Sequence, residues 1–177
     1  MTILAIVKAA QFAAEKHKNQ RRKDVDASPY INHPLALASV LAVEGGVENP
    51  DVICAAMLHD TVEDTDTTAK ELANIFGDKV TSIVLEVTDD KSLEKAVRKE
   101  EQVRHAPLIS PEAKLVKLAD KICNLRDILA SPPADWTAER KKAYFDWAAR
   151  VVAGLRGIHP GLESTFDGLF ARQAELL

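Results

Sequence analysis

Apolar residues recur along this chain at three- and four-residue intervals. Ile3, Ile6, Val7, Ala10 and Ala14 form one stripe, and Leu35, Leu37, Ala38, Leu41 and Ala42 form another behind Pro34. Further stripes fall at Leu72, Ile75 and Phe76, at Val80, Ile83, Val84 and Val87, at Leu115, Leu118, Ile122, Leu125 and Leu129, and at Phe145, Ala148, Ala149, Val152 and Leu155. This is the spacing of amphipathic helices, and strict alternation of the kind strands show is nearly absent. Helix-stopping residues stand at Gly45-Gly46, Gly77, Ser131-Pro132-Pro133 and Gly157 to Pro160. The pattern predicts an all-α protein of roughly eight to ten helices. One irregular basic segment, residues 19–28, separates the first helix from the second.

Composition narrows the class. The 177 residues are 46% apolar and 28% charged, with a formal net charge of −4. A chain of this length is expected to form one domain with enough buried surface to fold without disulfides or a structural metal. The longest apolar run, Val52 to Leu58, is far too short to span a membrane, and the first residues lack the features of a secretory leader. Cys54 and Cys123 each lie in an apolar run and read as buried hydrophobes of a reducing compartment, so cytoplasm is expected. The acidic balance argues against general nucleic-acid binding. It does not exclude a small phosphorylated molecule, which meets one pocket rather than the average surface.

Chemistry concentrates after Val52–Leu58, whose seven consecutive apolar residues imply a helix buried on all sides. His59, Asp60, Glu63 and Asp64 follow at once. Helical spacing places Glu63 one turn beyond His59 and Asp64 one turn beyond Asp60. Two readings are open: the helix emerges into solvent and turns polar, or the carboxylates are buried and a cation offsets their charge. Two further segments bear on the choice. His33 immediately precedes Pro34, a favoured first position of a helix. Asp120 and Asn124 stand one turn apart on a polar face flanked by Val116 and Cys123, as expected of a cleft. Two imidazoles with two carboxylates make a mixed N/O set suited to Mn²⁺, Fe²⁺ or Zn²⁺.

His33, the His59-Asp60 pair and Asp120 resemble the H…HD…D pattern of HD-domain metal phosphohydrolases. The resemblance extends to Arg21-Arg22-Lys23-Asp24, SPYINHP at 28–34, HDTVEDT at 59–65, EVTDDK at 86–91 and KLADKICNL at 117–125. These motifs are similar to those of the hydrolase half of RelA/SpoT alarmone enzymes. With the similarity running from about residue 3 to about residue 172 and no synthetase region, the chain resembles a stand-alone small alarmone hydrolase of the metazoan SpoT-homologue type. The resemblance implies an HD-domain fold, with residues 1–177 as a single hydrolase domain. It also implies one Mn²⁺ held by His33, His59, Asp60 and Asp120, with Glu63 and Asp64 orienting and deprotonating the attacking water and Asn124 lining the site. Only His105 lies between the HD pair and Asp120, outside every motif, which favours one metal over two.

The implied reaction is release of pyrophosphate from the 3′ position of (p)ppGpp, leaving GDP or GTP. Arg22 would stack on guanine with Lys23 beside it, and Lys95, Trp136, Arg140 and Tyr144 match substrate-contacting positions. Each also has a plainer reading: Lys91, Lys95 and Arg98 could form a solvated stripe interleaved with Glu94, Glu100 and Glu101, while Trp136 and Tyr144 could be packing residues. Two other functions fit the same residues, a 2′-phosphatase acting on NADPH or a similar nucleotide, and a non-catalytic nucleotide sensor. Intact Glu63 and Asp64 argue against the sensor. His17 and His159 receive no role, and the oligomeric state is left open.

Overall fold

A computed structural model describes residues 3–176, and among them ten α-helices, one π-helical turn and one 3₁₀ turn account for the regular structure. The helices are α1 (Ile3–Lys16), α2 (Asn32–Ser39), α3 (Pro50–Leu58), α4 (Thr61–Asp64), α5 (Ala69–Phe76), α6 (Asp78–Val87), α7 (Lys95–His105), α8 (Pro111–Ala130), α9 (Ala138–Ala153) and α10 (Pro160–Ala171). Their starts are chemically marked. Asn49, Thr68, Ser110, Thr137 and His159 each accept a hydrogen bond from a backbone N–H of the first turn they precede, and Pro follows directly at Pro50, Pro111 and Pro160. Gly77, at φ +84°, ends α5 and opens α6 in a conformation that residues with a Cβ rarely adopt.

The centre of the molecule is α3. Every residue from Val52 to Leu58 is buried, and α1, α2, α6 and α8 pack around it. Burial of a Val, Leu, Ile or Met side chain contributes about 1.5–3 kcal/mol, so α3 fixes its neighbours firmly. Helix α8 is the second axis, with Val116, Leu118, Ile122, Cys123 and Leu125 all buried.

Two stripes depart from the expected faces. In α1 the buried residues are Ala9 and Ala13, while Ile3 is 81% and Val7 56% exposed. The α1 backbone lies close against α3, and only small side chains fit between them. Across α2 and the turn that follows it, Leu37, Ala38 and Leu41 point inward as expected, but Leu35 and Ala42 are exposed. Beyond Ser39 the helix loosens into a π turn, Val40–Glu44, which rotates the apolar face away from its 3.6-residue register. The 19–28 segment is irregular, pinned by an isolated antiparallel bridge between Arg21 and Pro29. Among the described residues no helix is long and apolar enough to cross a membrane.

Candidate functional site

The C-terminus of α3, the N-terminus of α2 and the middle of α8 meet at one polar cavity of about 230 Å³. The apolar helix does not run on through the HD pair as a regular helix. It ends at Leu58, and Asp60 sits at φ −98°, ψ −2°, in the sparsely populated bridge region. This break turns His59 and Asp60 into the cavity while a hydrogen bond from Asp64 N–H to Asp60 O, 2.8 Å, keeps Asp64 one turn beyond Asp60.

His33, His59 and Asp60 each present a donor atom within 4.8 Å of the others. Asp120 joins from α8, its Oδ1 lying 3.2 Å from His33 Nε2. His59 Nδ1–H donates to the Ala56 carbonyl at 2.9 Å, which turns Nε2 toward the cavity. That Nε2 is buried and 2.9 Å from Asp60 Oδ2, yet has no aligned hydrogen bond. His33 Nδ1 is likewise buried without a partner. The unpaired His59 Nε2, the His33 Nε2 that faces Asp120 and the two carboxylates form a donor set that a divalent cation satisfies, with the Ala56 carbonyl orienting one ligand from behind. A structural zinc site would call for thiolates, and none lines the cavity.

The electrostatics agree with a cation site. Burial opposes the charge on Asp60, but His59 and His33 beside it hold its carboxyl well below the usual range. Desolvation opposes the charge on Asp120 as well, but Lys121 and His33 hold it well below that range. Burial works against protonation of His59, but Asp60 overcomes it and the imidazole is raised to about 9. Glu63 differs from both aspartates: burial pushes its carboxyl up, Asp89, Asp60 and Asp64 add to the shift, and the Asp89 N–H opposes it through a 3.0 Å bond to Oε2.

The polar cavity adjoins a second, more apolar one of about 390 Å³, and the two share Arg22, Tyr30, Asp64, Asn124 and Tyr144. Lys23 and Trp136 line the second cavity. Arg22 is ion-paired with Asp127 and lies 5.8 Å above the Tyr30 ring. Asn124 Nδ2 donates to Asp120 Oδ1 at 2.7 Å. Arg140 rests on the Trp136 ring at 4.5 Å, and Trp136 packs against Tyr144 at 5.7 Å between centroids. Lys95 is exposed at the start of α7 and lines neither cavity; Lys99, one turn further, lies over Tyr144 and Trp147 at 5.6 and 4.6 Å.

Several residues enter the site without having been singled out by pattern. The Tyr30 hydroxyl donates to Asp60 Oδ2. Lys121 Nζ donates to Asp120 Oδ2 at 2.9 Å while lying 4.4 Å from the Trp147 ring centroid. Lys117, also buried, donates to the Val87 carbonyl at 3.0 Å. The sequence carries little signal for either lysine, since Asp120 and Asn124 share their turns of α8 and make the pair read as an ordinary solvated face. His105 is half exposed beside Glu101 and does not line the polar cavity. His159 is structural, donating through Nε2 to the Gly45 carbonyl at 2.8 Å and accepting from Leu162 N–H through Nδ1 at 3.1 Å.

A family described as HD domain matches residues 9–151. The chain is 54% identical, over 93% of its length and 92% of the relative's, to the guanosine-3′,5′-bis(diphosphate) 3′-pyrophosphohydrolase MESH1 of Danio rerio. It is 52% identical, over 95% of its length and 94% of the relative's, to the protein of the same name from Homo sapiens. Among solved structures, one described as a metazoan orthologue of SpoT that hydrolyses ppGpp superposes with a TM-score of 0.93 at 47% identity, covering 98% of this chain and 97% of that one.

Proposed function

The chain belongs to the HD domain family, and on that footing we propose that it is a metal-dependent hydrolase removing the 3′-pyrophosphate of (p)ppGpp to leave GDP or GTP. The observation that carries this reading is the pairing of cavities. A polar cavity with an N/O metal-ligand set opens into a larger one lined by aromatic and basic residues. That arrangement suits the 3′-pyrophosphate in the polar cavity and the guanosine with its 5′ phosphates in the larger one.

His33, His59, Asp60 and Asp120 would hold one divalent ion, for which we propose Mn²⁺. When bound, the ion supplies Lewis-acid stabilisation of phosphoryl charge and makes water easier to deprotonate. Tyr30, Lys121 and Asn124 hold the Asp60 and Asp120 carboxylates in place through the bonds given above. Glu63 and Asp64 orient the attacking water and accept its proton. The raised Glu63 carboxyl suits that task, because a carboxylate of higher pKa is the stronger base. Arg22 and Lys23 face the guanine end, with Trp136, Tyr144 and Arg140 enclosing the phosphates on the far side and Lys95 at the rim. The whole of residues 1–177 would act as one hydrolase domain.

Incubation of the purified chain with Mn²⁺ and ppGpp, followed by anion-exchange separation, tests this reading. GDP and pyrophosphate are the expected products. Absence of both, or a kcat/KM for removal of the NADPH 2′-phosphate exceeding that for ppGpp, would overturn it.

A further inference from the structure

We infer that Gln20 and Lys91 are positioning residues that clamp the Asp64 carboxylate between them. The inference rests on the reading of Asp64 as a group that handles the attacking water. Each Asp64 oxygen is claimed by a different donor. Gln20 Nε2 donates to Oδ2 at 3.1 Å, and the Lys91 ammonium is ion-paired with Oδ1. The two donors come from opposite directions in sequence, 44 residues before and 27 residues after Asp64. Neither contact follows from the helix that carries the carboxylate.

The orientation of Gln20 is itself fixed. His17, only 2% exposed, places Nδ1 2.7 Å from Gln20 Oε1. A bonded Oε1 can only accept, so His17 Nδ1 is the donor and the amide NH₂ of Gln20 is turned toward Asp64. The His17 ring packs on Tyr30 at 4.8 Å between centroids, and Tyr30 in turn donates to Asp60. The turn after α1 therefore braces Asp64 through Gln20 and, by way of the His17 ring packed on Tyr30, Asp60. On the other side, the segment after α6 holds both water-handling carboxylates, Glu63 through the Asp89 N–H and Asp64 through Lys91. Lys91 belongs to the basic stripe that sequence alone assigns to solvent or to substrate phosphate; in the structure its ammonium is spent on Asp64. A carboxylate with both oxygens fixed loses the rotational freedom that would otherwise have to be lost on the way to the transition state.

Steady-state kinetics with ppGpp separates a clamp from a phosphate ligand. Lys91→Met and Gln20→Leu are expected to lower kcat by about 10- to 100-fold while KM stays within about twofold. Lys91→Arg, which keeps the charge, should recover most of the loss. A rise in KM at unchanged kcat in Lys91→Met would assign the lysine to substrate and overturn the clamp. A readout that needs no substrate keeps this separate from the proposed reaction. In the Zn²⁺-loaded full chain, the side-chain ¹⁵N–¹H signals of Gln20 should move in Asp64→Ala and lose dispersion in His17→Leu. Unchanged Gln20 signals in Asp64→Ala would overturn the clamp even if ppGpp were turned over, and shifted signals would sustain it even if ppGpp were not the substrate.

Discussion

At His59 the metal-free protein holds a proton that a cation must displace. Burial disfavours the imidazolium, yet the Asp60 carboxylate beside it raises the group to about 9, above its ordinary value of 6.5. A raised basic group is protonated below its folded pKa, so loading the site at neutral pH releases a proton, and affinity for the ion rises with pH until about 9, then levels off. Calorimetric titration of the metal-free chain with Mn²⁺ in buffers of different ionisation enthalpy measures this directly, with about one proton released per ion expected at pH 7. A different outcome belongs to the neighbouring carboxylates. Glu63→Ala and Asp64→Ala should each retain the bound ion and lose about 100- to 10,000-fold in kcat, the range of a positioned general base, whereas His59→Ala should lose ion and activity together. The types and spacing of His33, His59, Asp60 and Asp120 could be read from sequence because each ligand stands in a local motif. Gln20, Tyr30 and Lys121 could not be assigned, since what makes them part of the site is a contact across 44, 30 or, for Lys121, a single residue whose direction only the packed helix determines.

At the scale of elements, the site depends on how helices end and meet rather than on their propensity. Helix α3 was legible because seven apolar residues leave no polar face; its termination at Leu58 was not, since nothing in His59-Asp60 forbids another turn. The outward-facing Ile3 and Val7 of α1 mislead for a related reason. Hydrophobic spacing ranks large residues first, while close approach of α1 to α3 selects the small Ala9 and Ala13. A similar close approach occurs at the end of α9. A Cβ on Gly154 would stand 2.8 Å from both Ala106 Cβ and Pro107 Cδ, so Gly154→Ala must push α9 away from the turn after α7. We expect a loss of about 1–3 kcal/mol, a fall of about 2–12 °C in Tm by thermal denaturation. Because α9 carries Tyr144 and Arg140, KM should rise with it while metal affinity is unchanged.

Across the whole molecule, the net charge of −4 conceals an uneven distribution. Asp60, Glu63, Asp64 and Asp120 gather at the cation site, and Arg22, Lys99, Lys121 and Arg140 surround the adjoining aromatic walls. Lys121 is committed to Asp120 and Arg22 to Asp127. Lys99 has no carboxylate partner among the described residues; burial, then Lys95, Lys121 and Arg140, lower its pKa from the ordinary lysine value. A cation held among other cations is destabilised until an anion arrives, so a polyphosphate gains more from Lys99 than from the exposed Lys95. Lys99→Met should therefore raise KM for ppGpp by about tenfold, the worth of one charge-assisted hydrogen bond of about 1.5 kcal/mol, and Lys95→Met by less. The same field predicts a salt effect of definite form. Raising ionic strength from about 0.01 to 0.15 M shortens the screening length from about 30 to 8 Å, which weakens attraction of the substrate to the exposed rim while leaving the buried ion pairs nearly untouched. KM should climb over that range with kcat flat, and a fall in kcat instead would mean that salt reaches the carboxylates handling water.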